Sequence, residues 1–190
     1  PFLEELQKKK CCTIHSLGNG SVYNPLLIFK IIPFLNQFDC IHVHIFPSLY
    51  WVALAKLFIF SKVKIVYTEH STSNKRRDNL FFKIVDRIIY SKYDDIIGIT
   101  PKVVDNLKVH LNFKKNNKFK LISNGLNLKS ITEAVPYQKN VFFDDKNSKI
   151  IIQVARFYEP KDHKTLIKSM VLLPDNVKLL LVGDGILKAE

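Results

Sequence analysis

Short apolar runs alternate along this chain with longer stretches whose apolar residues recur every three to four positions. A continuous apolar run between polar residues is typical of a buried parallel strand, and the longer repeat is typical of a helix. The sequence predicts strands at 11–15, 40–45, 64–68, 95–99, 119–123, 150–154 and 177–182. It predicts helices at 26–36, 48–60, 80–89, 102–111 and 163–172. This order predicts an α/β fold with a parallel sheet.

Two helices have clear sequence markers. The helix at 80–89 has a single apolar stripe, formed by Leu80, Phe81, Ile84, Val85, Ile88 and Ile89. The helix at 102–111 is preceded by Thr100, which can cap a helix, and by Pro101, which suits a first helical turn.

A domain boundary is predicted soon after Asn124. Five predicted strands precede it, and residues 127–148 read as irregular. We therefore divide the chain into domains at 1–125 and 126–190. The second domain starts a strand–helix–strand unit and does not complete it. Such a unit leaves one sheet face and one edge uncovered, so it should be poorly stable alone.

The charge of the chain indicates an anionic partner. The formal net charge is +12, and most of the excess of Lys and Arg lies before residue 121. Nucleic acid, a membrane surface and a phosphorylated substrate all fit this charge.

The three cysteines, Cys11, Cys12 and Cys40, include no CxxC pair, which favours a reducing cytoplasm over a disulfide framework or a structural zinc site. The most apolar stretch, 48–60, is shorter than the about 20 residues of a membrane span.

Arg156 and Lys161 are candidates for an anion site. Arg156 follows the predicted strand at 150–154, and Lys161 comes just before the next predicted helix. Open parallel sheets bind ligands at the carboxyl ends of their strands, and a helix start adds backbone N–H donors. An Arg and a Lys there suit a diphosphate. A solvated surface loop is the alternative explanation.

The same segment resembles a known family. The runs VARFYEPKDHKTLI and LLPDNVKLLLVGDG are similar to the paired motifs of retaining glycosyltransferases of the GT-B fold, family 4, with Ala155 in place of the usual Gly. The resemblance implies two Rossmann-like domains, the second truncated here, and a nucleotide-diphosphate sugar as donor. It implies that Arg156 and Lys161 bind the donor diphosphate. It also implies that the loop formed by Gly183, Asp184 and Gly185 borders the donor pocket.

The first domain carries family motifs too. The runs DCIHVHIFPSLYWVALA, YTEHSTSNKRR, DIIGITP and LISNGLNL resemble successive family segments, although Asn127 stands where the last usually has Asp. The resemblance makes His70 the catalytic candidate on the acceptor side, at a rim where two domains would face each other. A histidine there can hydrogen-bond sugar hydroxyls near working pH, and the alternative is a structural histidine in a loop.

Three expectations concern other partners. His42 and His44 would share one strand face, where a structural role is favoured over metal ligation. We expect neither a metal nor a cofactor, since the nucleotide sugar is a substrate. Basic residues at 75–77 and at 114–120 indicate contact with an anionic membrane or a solvated face, and no nucleic-acid recognition motif accompanies them.

The resemblance also implies landmarks that this chain lacks. These are an opening strand with its Gly-rich loop and, later, an E-x₇-E motif, which Glu190 cannot supply. We therefore expect an incomplete enzyme, inactive alone, from a cytoplasmic glycosyltransferase peripheral to the inner membrane face. The expected role is surface polysaccharide or lipopolysaccharide synthesis with a glycan or lipid-linked acceptor. A non-catalytic binding remnant or split subunit and a basic nucleic-acid-binding domain are the alternatives.

Overall fold

The computed structural model describes residues 6–7, 12–72, 75–113, 117–144 and 147–188. The chain divides into two compact units, residues 1–126 and 127–190. Both units contain parallel strands connected through helices, so the predicted α/β class is confirmed. The identity of the two units as Rossmann-like domains and the truncation of the second stay predictions.

The first unit is built on a parallel sheet of four strands. These are β1 (Cys40–His44), β2 (Lys64–Glu69), β3 (Asp95–Gly98) and β4 (Phe119–Leu121), in the order β1-β2-β3-β4. In this register His44 lies beside Thr68, and Glu69 lies beside Gly98. Because the strands are parallel, the loops that follow β1, β2 and β3 emerge at one edge of the sheet, where such sheets bind ligands.

In the described part of this unit, α1 (Leu27–Leu35) precedes β1, and three helices connect the four strands. They are α2 (Ser48–Phe58), α3 (Leu80–Ser91) and α4 (Pro101–Leu111). The predicted start of α4 is confirmed, because the Thr100 hydroxyl accepts a hydrogen bond from the backbone N–H of Val103 and Pro101 occupies the first turn. Asn79 caps α3 in the same way, by accepting from the N–H of Phe81 at 2.8 Å.

The buried apolar core lies in this unit, and α3 departs from its sequence pattern there. The core includes the fully buried residues Leu35, Leu49, Ile65, Tyr90, Tyr93, Ile96, Leu107 and Leu111. From the apolar stripe of α3, Ile89 is buried and Val85 packs partly against the core. Four other stripe residues, Leu80, Phe81, Ile84 and Ile88, are exposed. Most of the stripe therefore faces away from the core, because α3 buries Asp86 and Tyr90 instead.

The second unit contains α5 (Leu128–Thr132), β5 (Lys149–Val154), α6 (His163–Ser169) and β6 (Val177–Val182). The two strands pair in parallel along their whole length. Among the described residues of this unit, only Ser148 and His163 are buried, and neither is a large apolar residue. Two strands and two short helices thus leave much apolar surface uncovered.

Two predicted elements differ from the structure. No strand forms at residues 12–15, and Cys11 lies outside the described residues. A short apolar run does not by itself specify a partner strand. The last predicted helix ends at Ser169 and continues as a 3₁₀ turn over Met170–Leu172, just before Pro174. In the basic cluster at 114–120, the Lys118 ammonium donates hydrogen bonds to the backbone carbonyls of Ser91 and Tyr93. Lys120 lies 3.9 Å from the carboxylate of Asp95.

Candidate functional site

A pocket of about 420 Å³ opens beyond the carboxyl end of β2. Its lining residues come from the loop after β1, the end of β2, the loop after β2, and the 3₁₀ turn before α3: Ile45, Phe46, Tyr67, Glu69, His70, Ser71 and Arg76. The pocket combines aromatic and apolar walls with an imidazole, a carboxylate and a guanidinium. That mixture is typical of small-molecule sites. His70, the predicted acceptor-side residue, lies in it.

His70 belongs to a row of three imidazoles. The Nδ1 atom of His44 lies 3.1 Å from Nε2 of His70, and the rings of His42 and His44 are 4.2 Å apart. His42 in turn lies with its Nε2 atom 2.7 Å from the Thr68 hydroxyl. The predicted placement of His42 and His44 on one strand face is confirmed. The link between His44 and His70 was not predicted, because it joins two strand ends 26 residues apart.

The pKa of His44 is lowered from its ordinary value. Burial is the main cause, and the neighbouring charges of His42 and His70 add to it. A hydrogen bond between two imidazole nitrogens requires one to donate and the other to accept, so at least one ring must be neutral. The lowered pKa makes His44 suited to be the neutral partner, which orients the ring of His70 at the pocket.

Glu69 holds the loop that carries His70. Its carboxylate accepts hydrogen bonds from the Arg77 guanidinium, from the Tyr90 hydroxyl at 3.1 Å and from the N–H of Ser71 at 3.0 Å. The side chains of Glu69 and Arg77 are only 7% and 8% exposed. A buried charge pair with added hydrogen bonds fixes local geometry. Glu69 therefore acts as a positioning residue for the β2 end.

A second buried carboxylate lies behind the pocket. Asp86 accepts hydrogen bonds from the Tyr50 hydroxyl and from Nε2 of His110, and it pairs with Arg76 at 3.4 Å. The Arg76 guanidinium also lies 4.2 Å above the ring of Phe46. Arg76 and Arg77 thus pair with buried carboxylates instead of forming a solvated basic loop. Sequence reasoning missed Asp86, since an acidic residue in an apolar helix gives no sign of its partners.

Arg156 and Lys161 lie in the second unit, beyond the carboxyl end of β5. Both residues are exposed, and Lys161 closes a 3₁₀ turn that begins at Glu159. Neither side chain makes an ion pair with any residue that the structure describes. Asp162 caps α6 by accepting from the N–H of Thr165. The two cations are thus available to an anion, and their role in donor binding stays a prediction.

The glycines of the Gly183–Gly185 loop are required by backbone packing. A Cβ atom added at Gly183 would lie 1.9 Å from the carbonyl oxygen of Ala155, and one at Gly185 would lie 2.3 Å from that of Phe157. Gly185 also has φ +154°. The Asp184 carbonyl accepts a hydrogen bond from the N–H of Phe157 at 2.9 Å. This loop therefore holds the segment that carries Arg156.

No group of three or more His, Cys, Asp or Glu side chains among the described residues is arranged to hold a metal ion. No described helix is long and apolar enough to cross a membrane.

Comparison with known proteins begins with one family model. The model described as Glycosyltransferase Family 4 matches residues 5–130, well over half of the chain. A curated relative from Campylobacter jejuni is 25% identical over 195 residues, which cover 94% of this chain and 52% of the relative. Its name is N-acetylgalactosamine-N,N'-diacetylbacillosaminyl-diphospho-undecaprenol 4-alpha-N-acetylgalactosaminyltransferase.

Solved structures show the same fold. Anabaena HepE, in complex with UDP and glucose, superposes with a TM-score of 0.72 at 16% identity, over 96% of this chain and 51% of HepE. A glycosyltransferase from Rickettsia africae superposes with a TM-score of 0.73 at 20% identity, over 96% and 49% of the two chains. The expected GT-B type of glycosyltransferase fold is thereby confirmed. The chain spans about half the length of each of these three proteins. By its match over residues 5–130, this chain belongs to Glycosyltransferase Family 4.

Proposed function

We propose that this protein moves a sugar from a nucleotide-diphosphate sugar to a hydroxyl of a glycan or lipid-linked acceptor. The observation that carries the proposal is the placement of His70 and of Arg156 just beyond the carboxyl ends of parallel strands, in a chain of this family. The printed names of similar proteins support it: the Campylobacter relative acts on a diphospho-undecaprenol acceptor, and HepE was solved with UDP and glucose.

The proposed chemistry breaks the bond between the anomeric carbon and the donor diphosphate. The acceptor oxygen forms the new bond and loses its proton, and the nucleoside diphosphate leaves with the bonding electrons. Arg156 and Lys161 offset the negative charge that grows on the departing diphosphate. His70 positions the acceptor or the transferring sugar. We propose retention at the anomeric carbon and no metal or cofactor, by resemblance to the family.

The proposal places the reaction in the cytoplasm, at the inner face of a membrane, in surface polysaccharide or lipopolysaccharide synthesis. A lipid-diphosphate-linked acceptor would be held there. The net charge of +12 supports contact with an anionic surface.

Removing the His70 imidazole tests the proposal. In the assembled enzyme, we expect His70→Ala to lower kcat/KM for sugar transfer to a lipid-diphosphate-linked acceptor by about a hundredfold, since a positioned acid–base or hydrogen-bonding group contributes at least that much. His15→Ala, which removes an exposed histidine whose ring lies 5.2 Å from that of Phe34, is the matched control and should leave transfer unchanged. Transfer by His70→Ala at the unmodified rate would refute the assigned role. Nucleotide binding without any transfer would favour a non-catalytic binding module.

A further inference from the structure

The ring of His70 has one nitrogen in use and one that is free. Its Nε2 atom lies 3.1 Å from Nδ1 of His44, which is hydrogen-bonding distance. No other described residue forms a hydrogen bond with this ring. The pocket beyond β2 is lined by His70 and not by His44, so Nε2 of His70 is directed to a neighbour outside the pocket wall. Nδ1 is therefore the nitrogen of His70 that a ligand can engage.

The backbone on both sides of His70 is fixed independently of its ring. Glu69, the residue before it, ends β2 and pairs with Arg77. Ser71, the residue after it, donates its N–H to the Glu69 carboxylate at 3.0 Å. With the backbone held, the remaining freedom of His70 is rotation of its side chain among rotamers. The hydrogen bond with His44 restricts that rotation.

His44 is itself held in place. Its backbone pairs with β2 in register with Thr68, and its carbonyl accepts a hydrogen bond from the Ser48 hydroxyl. Its ring lies 4.2 Å from the ring of His42, whose Nε2 atom is 2.7 Å from the hydroxyl of Thr68. Thr68 is buried. The row of imidazoles is thus anchored at a buried threonine and ends at the pocket.

The ring of His44 has no place in the apolar core. It lies on the opposite face of β1 from Val43, which is the buried residue of that strand. The lowered pKa of His44 favours its neutral form, so its Nδ1 atom can accept a hydrogen bond from a protonated His70 or share one hydrogen with a neutral His70. The pairing therefore suits both charge states of His70.

We propose that His44 is a positioning residue for sugar transfer, because it holds Nε2 of His70 and leaves Nδ1 of His70 to meet a sugar hydroxyl in the pocket. The inference rests on the proposed function, since it takes a sugar as the ligand. His44 itself does not touch the sugar. It keeps one orientation of His70 populated before the substrate arrives, which lowers the cost of ordering the site.

Sugar transfer by His44 variants of the assembled enzyme tests this role. His44→Leu removes the hydrogen-bonding nitrogen and should lower kcat/KM about tenfold, since a poorly oriented group contributes less. His44→Asn should recover most of this loss, because the amide atoms of Asn lie as far from Cβ as Nδ1 of His does. His15→Leu makes the same change at an exposed histidine of the same unit and should leave transfer unchanged. Equal losses in the Asn and Leu variants of His44 would overturn the inference.

A second pair of variants identifies the nitrogen that His70 uses. The amide atoms of Asn match the position of Nδ1, and those of Gln match the position of Nε2. We therefore expect His70→Asn to retain about tenfold more transfer than His70→Gln, since only Asn presents a polar atom where the sugar is met. The opposite order would show that Nε2 faces the sugar and would overturn the inference.

Crystal structures of the unmodified protein and His44→Leu test the positioning without any transfer. We expect one orientation of the His70 ring in the unmodified protein and several in the variant. One identical orientation in both would overturn the inference. The proposed function fails separately, if His70→Ala transfers sugar at the unmodified rate. A loss in His70→Ala with none in His44→Leu would overturn the inference alone. Unchanged unfolding of each variant, followed by the fluorescence of Trp51, would show that the fold is kept.

Discussion

Asp86→Ala is expected to destabilise the first unit by about 3–5 kcal/mol, which is the cost of removing one partner from a buried charge network. The substitution leaves the Tyr50 hydroxyl, the Arg76 guanidinium and the His110 ring without their shared acceptor. The guanidinium of Arg76 would be left as an unpaired charge, since its side chain is only 10% exposed and its Nε atom already has no hydrogen-bond partner within the described part of the chain. Burial and the bond to Asp86 also raise the pKa of Tyr50, so its hydroxyl remains a donor at neutral pH.

Urea unfolding followed by tryptophan fluorescence measures this loss. Trp51 is the single tryptophan of the chain and lies in α2, so its signal reports the first unit alone. Asp105→Ala, which removes an exposed carboxylate from α4, is the control and should change the free energy of unfolding by less than about 0.5 kcal/mol. A loss below about 1 kcal/mol for Asp86→Ala would show that the network does not hold α2, α3 and α4 together.

Gly183→Ala is expected to open the second unit. Its new Cβ would lie 1.9 Å from the Ala155 carbonyl oxygen, so the backbone of one segment must move. Overpacking of this severity costs about 3 kcal/mol or more. Few buried apolar contacts hold the strands of the second unit in place, since its described residues bury no large apolar side chain. The strand pair should then lose its protection against hydrogen exchange by about a hundredfold.

Hydrogen exchange of peptides from β5 and β6 is the measurement. Gly125→Ala is the control, since a Cβ at Gly125 meets no atom within 4 Å. The control should leave exchange in both strands unchanged. Unaltered protection in Gly183→Ala would mean that the loop shifts freely and does not hold the segment of Arg156.

Six of the seven predicted strands correspond to β1–β6, because apolar residues dominate most of these segments, whereas no strand forms at residues 12–15. The predicted bounds of β2 and β6 agree with the structure to within one residue. The burial of α3 could not be predicted, because its apolar stripe points to one buried side, whereas only Val85 and Ile89 of that stripe pack on the core and Leu80, Phe81, Ile84 and Ile88 are exposed. Its true inner side includes Asp86, whose buried carboxylate accepts hydrogen bonds from Tyr50 and His110 and is paired with Arg76.

The candidate site was predictable in part for a similar reason. His70 and Arg156 could be placed at strand ends because each follows a predicted strand closely in the sequence. Two interactions of the site join residues from different elements or turns, which a local sequence pattern does not reveal. They are the bond between His44 and His70 and the pairing of Arg77 with Glu69. Lys75, Arg76 and Arg77 therefore suggested a solvated basic surface, whereas Arg76 and Arg77 are paired in the structure and the side chain of Lys75 lies outside what it describes.

The most direct test of the central claim is calorimetric titration of UDP and GDP into the purified protein and a double variant, Arg156→Ala with Lys161→Ala. We expect one of these nucleotides to bind and the double variant to raise its Kd about a hundredfold, since each lost charged hydrogen bond costs about 1.5–3 kcal/mol. Lys149→Ala with Lys168→Ala removes two exposed lysines from other parts of the second unit and should leave the Kd unchanged. Equal affinity in all three proteins would contradict the assignment of Arg156 and Lys161 to the donor diphosphate.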